Sequence, residues 1–415
     1  MSTVAEPTPT PPIVPQAAEP AENLAEYFRR RVQDLRSGEL GSLPIAIGIV
    51  IIAIYFQARN DRFLTAGNFV NLIVQMAAIA VIGMGITWVL LIGEIDLSIG
   101  FVSGVGGVIA AKLLLPGGSS IPTSVAIVLA LGAGVAIGLI QGAIFTKIGI
   151  PSFVVTLAGL LIWNGVVLLL IGSSGTVVIQ DKFVNGIAND FLPDTTAWIV
   201  FEGAVVLYGA QQVYSLLSRR RAGVPTEPWG IVAIRVGVLA VIAGVVVGIV
   251  NQNRGVPYVG LLLLGLLIFW TFMAKRTRFG RHVYAVGGSA EAARRAGINV
   301  DRIRMLCFAI SGGMAALGGI ILASRLSSVD TNAGGGDVLL NSIAAAVIGG
   351  TSLFGGRGEI KGAMLGAVVI ASIANGLGLL NVSSGTKFVV TGAVLLAAVT
   401  LDSVSRRAQE HAGRA

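Results

Sequence analysis

The chain is poor in charge, histidine and cysteine. Charged residues make up 12% of its 415 residues, against ~25% in an average soluble domain, which argues against a soluble enzyme. The single cysteine, Cys307, excludes an intrachain disulfide, and with only His282 and His411 beside it no Cys/His metal site can be assembled. Cys307 therefore reads as filler in an apolar helix. No short apolar core follows the first charges, so nothing reads as a cleavable signal peptide. A nucleotide loop is missing too. In Gly349 to Arg357, GGTSLFGGR, Gly356 and Arg357 stand where a P-loop needs Lys, then Ser or Thr, to meet phosphates and magnesium. Without a metal cluster, a catalytic triad or a nucleotide site, the sequence does not read as an enzyme.

Apolar residues and glycine are abundant instead. Hydrophobic residues are 54% of the chain, glycines number 56, and the mean hydropathy is +0.84. The apolar residues fall in blocks long enough to cross a ~30 Å hydrocarbon core as helices. Twelve candidate spans result: 43–56, 69–92, 99–115, 124–145, 153–172, 198–217, 230–250, 257–274, 303–325, 338–354, 362–380 and 386–401. Several are short, and the first and last two are open to being tilted or broken helices, so the expected count is ten to twelve. The expected fold class is an all-α polytopic membrane protein. Residues 1–41, with six of the fourteen prolines in the first twenty positions, read as a disordered tail followed by a surface helix. Residues 42–402 read as the transmembrane domain and 403–415 as a C-terminal tail.

The formal charge of +8 would fit a nucleic-acid partner if the basic residues were clustered on one soluble face, but they lie between the apolar blocks. With the N-terminus placed in the cytoplasm, twenty of the 29 Lys and Arg fall on the inner side, seven fall outside or at outer boundaries, and Arg235 and Arg304 lie inside spans. Both termini are therefore expected in the cytoplasm. Glycines at helical spacing, Gly100 with Gly104, Gly134 with Gly138 and Gly142, Gly244 with Gly248, and Gly362 with Gly366, mark faces where helices can approach closely.

Few residues in the spans could carry chemistry. Glu94 and Asp96, in IGEIDLSIG at Ile92 to Gly100, lie between two spans with no basic residue beside them. They read either as substrate- or proton-handling acids or as residues of a solvated turn, in which Asp96 or Ser98 caps the next helix. Asn71, Gln75, Gln141, Asn164, Asn341 and Asn375 supply donors and acceptors inside spans. Such amides suit a passage for a polyhydroxylated solute and serve equally well as interhelical hydrogen bonds. The longest charged interruption, Lys275 to Arg302, carries +5 of the net +8. Within it Ser289 can cap a short helix, Ala290 to Ala296, that Gly297 ends, with Glu291 and Arg295 paired at i,i+4. That helix can dock into a partner's groove or lie on anionic headgroups.

The motifs together resemble the permease subunits of the ribose/xylose class of bacterial ABC sugar importers, across about Leu43 to Ser405. The likeness is carried by GEIDLSIG at Gly93 to Gly100, IPSFVVTLAG at Ile150 to Gly159, RFGRHVYAVGGSAEAARRAGI at Arg278 to Ile298, and VIGGTSLFGGRGEIKGAMLGA at Val347 to Ala367. The resemblance implies a type II importer permease fold, a multi-pass subunit of the bacterial plasma membrane, and a homodimer. It also implies a separate cytoplasmic ATPase that binds ATP and magnesium, and an extracytoplasmic sugar-binding protein. By the same resemblance Ser289, Glu291, Ala292, Ala293, Arg294 and Gly297 belong to the coupling helix. The family commonly has Asn where Ser289 stands, and either residue can cap. The extra pair of spans near 198 to 250, and Glu94 where ribose-type members usually have Gly, place the chain nearest the xylose-type branch. In this reading Glu94, Asp96, Asn164, Asn341 and Asn375 are the pathway candidates. The rival expectation is an ion-gradient-driven sugar transporter with Glu94 and Asp96 as coupling carboxylates.

Overall fold

The computed structural model describes residues 43–115, 121–224 and 226–411. The expected N-terminal tail and the last residues of the expected C-terminal tail lie outside them. The described chain is helical apart from one small sheet. In chain order the helices are α1 (Leu43–Arg59), α2 (Ala66–Leu91), α3 (Ile99–Leu113), α4 (Thr123–Ala143), α5 (Ser152–Ile171), α6 (Lys182–Asn189), α7 (Asp194–Arg221) and α8 (Trp229–Asn251). They continue with α9 (Tyr258–Arg276), α10 (Arg278–Gly288), α11 (Ala290–Arg295), α12 (Val300–Leu326), α13 (Val338–Ile348), α14 (Ile360–Leu379) and α15 (Ser384–His411).

Each of the twelve apolar runs forms a helix. Among the described residues seven helices are long and apolar enough to span a bilayer outright: α2, α4 with its π-helical extension to Ile148, α5 with the short turn to Ser174, α8, α9, α12 and α14. The apolar helices α1, α3, α13 and the first part of α15 are shorter. Helix α7 is long but more polar, carrying Glu202, Gln211 and Gln212 in its middle. The expected run 338–354 is a helix only to Ile348. Gly349 and Gly350, the latter in the left-handed region at φ 86°, turn the chain away there.

Helix α12 is the axis of the larger unit, which takes in the described residues of 43–198 and 246–411. It packs against α4, α2 and α3, and α14 packs against α2 and α13. The seams are made by small residues. A Cβ on Gly138 would land on the Phe308 carbonyl, and one on Gly319 would land on the Ser103 carbonyl, so these backbones touch directly. Lipid offers no hydrophobic drive for helix association, and such close packing replaces it. Of the expected small-residue faces, those on α3, α4 and α14 are buried seams, whereas Gly244 meets only the Phe201 ring and Gly248 has no neighbour within 4 Å.

The connecting loops of this unit gather at two ends. At one, β1 (Thr176–Val178) pairs antiparallel with β2 (Ser328–Asp330), with Val177 opposite Val329. Asp181 caps α6, accepting from Val184 N at 2.8 Å, and also accepts from Thr123 Oγ1 at 2.7 Å. At the other end lie the loop after α2, the segment 276–300 and the loop 349–359, which hydrogen-bond or pack against one another. This is the grouping that alternate crossing demands. Residues 199–245 form a compact unit of their own, in which Arg235 pairs with Glu227 at 2.8 Å and Arg220 lies 5.4 Å from the Trp229 ring centre.

Candidate functional site

The segment between α9 and α12 is built from short capped helices. Thr277 caps α10 by accepting from Gly280 N at 3.1 Å, and Gly280, Val283 and Val286 line its buried face. The Trp88 ring lies 5.5 Å from Phe279 and 5.5 Å from Trp270, which ties α10 and α9 to α2. Ser289 caps α11 as expected, its Oγ accepting from Ala292 N at 3.2 Å. Gly297, at φ 82°, ends the turn, and Ile298 N donates to Ala293 O at 3.0 Å, closing a Schellman-type cap.

This arrangement separates the coupling-helix candidates into two faces. Ser289, Glu291, Ala292, Arg294 and Gly297 are exposed or half-buried, while Ala293 is buried and anchors the helix to the bundle. Glu291 pairs with Arg295, and Arg294 lies 3.9 Å from Asp301. An open groove beside α11 is lined by Ala290, Glu291, Arg294, Arg295 and Arg304.

Directly behind that segment three loops meet backbone to backbone. The Gly356 N–H donates to the Leu91 carbonyl at 2.9 Å. Gly287 sits so close to the same carbonyl that a Cβ there would overlap it, and would lie 2.6 Å from Gly356 N. A Cβ on Gly355 would lie 2.8 Å from Gly93 N and 3.0 Å from Gly287 O. The chain entering α11, the turn after α2 and the loop before α14 are thus joined with no side chain between them. Tyr284 adds a hydrogen bond from its hydroxyl to Gly358 O at 2.8 Å.

Both acids of GEIDLSIG lie in the loop between α2 and α3, outside the spans. Asp96 is buried. Its Oδ1 accepts from Ser98 N at 2.9 Å and Ser98 Oγ at 2.7 Å, and its Oδ2 accepts from Ser311 Oγ at 3.2 Å. Burial pushes its pKa upward, partly offset by the bonds from Ser98, Ser311 and the Ile99 amide. Asp96 therefore caps the start of α3 and fixes it to α12, from a buried position rather than a solvated turn; Ser98 makes no cap bond of its own. Ser98 Oγ also lies 3.0 Å from Gln141 Oε1, which brings α4 into the cluster. Glu94 is half-buried and pairs with Arg304 of α12 at 3.1 Å. Its pKa is raised by burial, against the Ser152 hydrogen bond and the Arg304 charge. The backbone of Ile95 joins α5 through Ser152 Oγ and Thr156 Oγ1.

The amide candidates disperse. Asn375 and Asn68 exchange two hydrogen bonds, at 2.9 and 3.0 Å, and Asn375 also donates to Gln75 at 3.3 Å, so this buried cluster clamps α14 to α2. Asn341 is buried and donates to Asp337 at 2.8 Å, within its own helix turn. Asn164 is half-buried on α5, and Asn71 accepts from Arg254 at 2.5 Å at the far end. A cavity between α3, α12 and β2, lined by Ser103, Gly107, Gly319 and Asp330 among others, measures about 50 Å³, room for a water molecule or two. No group of three or more His, Cys, Asp or Glu residues is placed to hold a metal among the described residues. Arg304, Ser311 and Ser152 escaped the reading of the sequence. An arginine inside an apolar span needs a partner, and that signal alone pointed to Arg304.

A bundle of apolar, span-length helices with a short capped helix on one connecting segment defines a polytopic membrane protein. The comparisons agree. The chain belongs to the family described as branched-chain amino acid transport system / permease component, which matches residues 68–399. It is similar to the xylose transport system permease protein XylH of Escherichia coli strain K12, 37% identical over 374 residues, 90% of this chain and 94% of that one. XylH of Haemophilus influenzae is 33% identical over 90% of this chain and 99% of its own length. The ribose import permease protein RbsC of Escherichia coli strain K12 is 32% identical over 86% of this chain and 92% of that one. No solved structure matches the chain.

Proposed function

We propose that this protein is the membrane-spanning subunit of an ATP-binding-cassette importer for a pentose, with xylose the favoured substrate. The observation that carries the reading is the likeness to two xylose permeases over 90% of the chain, which includes the capped helix α11 and the acidic loop packed behind it. The chain works as a homodimer, with the sugar passage between the two copies. An extracytoplasmic binding protein delivers the sugar. Both termini and α11 face the cytoplasm, where the ATPase docks, since twenty of the 29 basic residues fall on that side.

In this mechanism the ATPase pushes on α11, and the rigid seam of Gly287, Leu91 and Gly356 passes the movement to α2 and α14. Two packings of the bundle then open the passage alternately. Asn164 on α5 and Asn341, whose buried Oδ1 has no hydrogen-bond partner, are the favoured pathway candidates among the amides, while Asn375 is bonded to Asn68 and Gln75. The ion-coupled alternative is not favoured, because Glu94 is held by Arg304 and Asp96 by two serines and the start of α3. Uptake of labelled xylose into vesicles separates the two readings. The importer needs the permease, ATPase and binding protein together with ATP, and an uncoupler leaves it unaffected. Uptake by the permease alone, abolished by an uncoupler, overturns the importer.

A further inference from the structure

Arg304 stands between the groove beside α11 and the acidic loop. Arg304 lines the groove with Arg294, Arg295 and Glu291, and its guanidinium pairs with Glu94 at 3.1 Å. Its Nε is buried with no hydrogen-bond partner, and the guanidinium sits 5.0 Å from the centre of the Phe145 ring. A buried guanidinium donor left unpaired is costly, and a second carboxylate would satisfy it. The groove lining holds three arginines against one glutamate, so it attracts an acidic occupant. Glu94 is two residues from Asp96, whose carboxylate joins the loop to Ser311, so a change at Glu94 reaches the contacts that hold α3 on α12.

We infer that Arg304 exchanges ion-pair partners. A carboxylate of the docked ATPase enters the groove beside α11, engages Arg304 and draws it from Glu94, which removes one of the two side-chain links between the loop 92–98 and α12 and leaves the bond from Ser311 to Asp96 in place. The inference rests on the importer reading and adds to it a named residue and the chemistry of the partner group. It makes Arg304 a docking residue and Glu94 its internal competitor.

The competition has a signature in the sign of two substitutions. In lipid nanodiscs, with the ATPase subunit that copurifies with the wild-type permease, Glu94→Gln tightens binding by roughly fivefold, since a partly exposed ion pair of about 1 kcal/mol no longer has to be broken. Arg304→Gln weakens binding by roughly tenfold, and Arg304→Lys, which keeps the charge but loses the fork, falls between. The double variant binds as Arg304→Gln does, because Glu94 has nothing left to compete for. ATP hydrolysed per sugar imported rises in Glu94→Gln, since its loop is no longer locked between cycles. Weaker binding in both single variants, or unchanged binding in both, overturns the exchange and leaves the importer standing. Arg304→Gln that loses affinity for anionic vesicles and not for the ATPase assigns the groove to lipid and also overturns it. Failure of the wild-type permease to bind any ATPase overturns the importer and the exchange together.

Discussion

Gly287 and Gly288 are adjacent residues at the end of α10, and they are predicted to respond oppositely to alanine. A methyl on Gly287 would overlap the Leu91 carbonyl oxygen and lie 2.6 Å from Gly356 N, both backbone atoms with nowhere to turn. The seam must open by ~1 Å to restore ordinary contact, which breaks the hydrogen bond from Gly356 to Leu91. Overpacking of this kind costs ~1–3 kcal/mol and the lost hydrogen bond about 1, offset by ~0.5–1 from replacing a helical glycine, for a net of about 2–3 kcal/mol. At Gly288 nothing lies within 4 Å of the added methyl, so only the small helical gain remains. Hydrogen exchange of the amides between Arg278 and Gly297 reads the difference directly. Gly287→Ala speeds exchange by roughly 30- to 150-fold relative to wild type, and Gly288→Ala leaves it equal or slower. ATP-driven uptake falls with the first variant and survives the second. Equal exchange in the two variants would refute the assignment of this seam as a rigid connection between α10, α2 and the loop before α14.

The other interfaces make predictions of the same kind. Gly138→Ala, which drives a methyl into the Phe308 carbonyl, lowers the melting temperature of the purified protein by several degrees, while Gly132→Ala, in open space on the same helix, does not. Asn375→Leu leaves the Asn68 Oδ1 without its donor, while Asn68 Nδ2 keeps the Phe63 carbonyl, and costs about 1–2 kcal/mol, part of which Asn68→Leu in the same chain recovers; a double-mutant cycle in thermal melts measures the coupling. Asp96→Ala leaves Ser98, Ser311 and the first amides of α3 without their acceptor, costs about 2–3 kcal/mol and abolishes uptake, whereas Asp96→Asn keeps one acceptor oxygen and costs less.

The spans were legible because lipid demands long apolar helices, and glycine, proline and charge punctuate them. The overrun at 338–354 has a physical reason: Gly349 and Gly350 count as mildly apolar in any average, yet φ 86° at Gly350 ends the helix. Helix α10 escaped because it is short, amphipathic and embedded in a basic loop, where its buried stripe of Gly280, Val283 and Val286 is hard to separate from a surface turn. The caps at Ser289 and Gly297 were legible, since capping is local. The partners of Glu94 and Asp96 were not, because Arg304 and Ser311 lie more than two hundred residues away and come beside the loop only when α12 packs along the bundle. The amides illustrate the same limit. Asn375 as a pathway residue and Asn375 as an interhelical clamp have identical sequence signatures, and the 2.9 Å bond to Asn68 is visible only once α14 packs on α2.

The central claim is that this chain carries a pentose only as part of an ATP-driven assembly, with α11 as the docking point. Uptake of labelled xylose by vesicles containing the permease, its ATPase and its binding protein tests it most directly, compared with the same vesicles carrying Glu291→Ala and Arg294→Ala. ATP-dependent uptake that an uncoupler does not touch is expected, and the two substitutions abolish it while the permease stays folded. Undiminished uptake in the doubly substituted permease, or uptake without ATP, would contradict it.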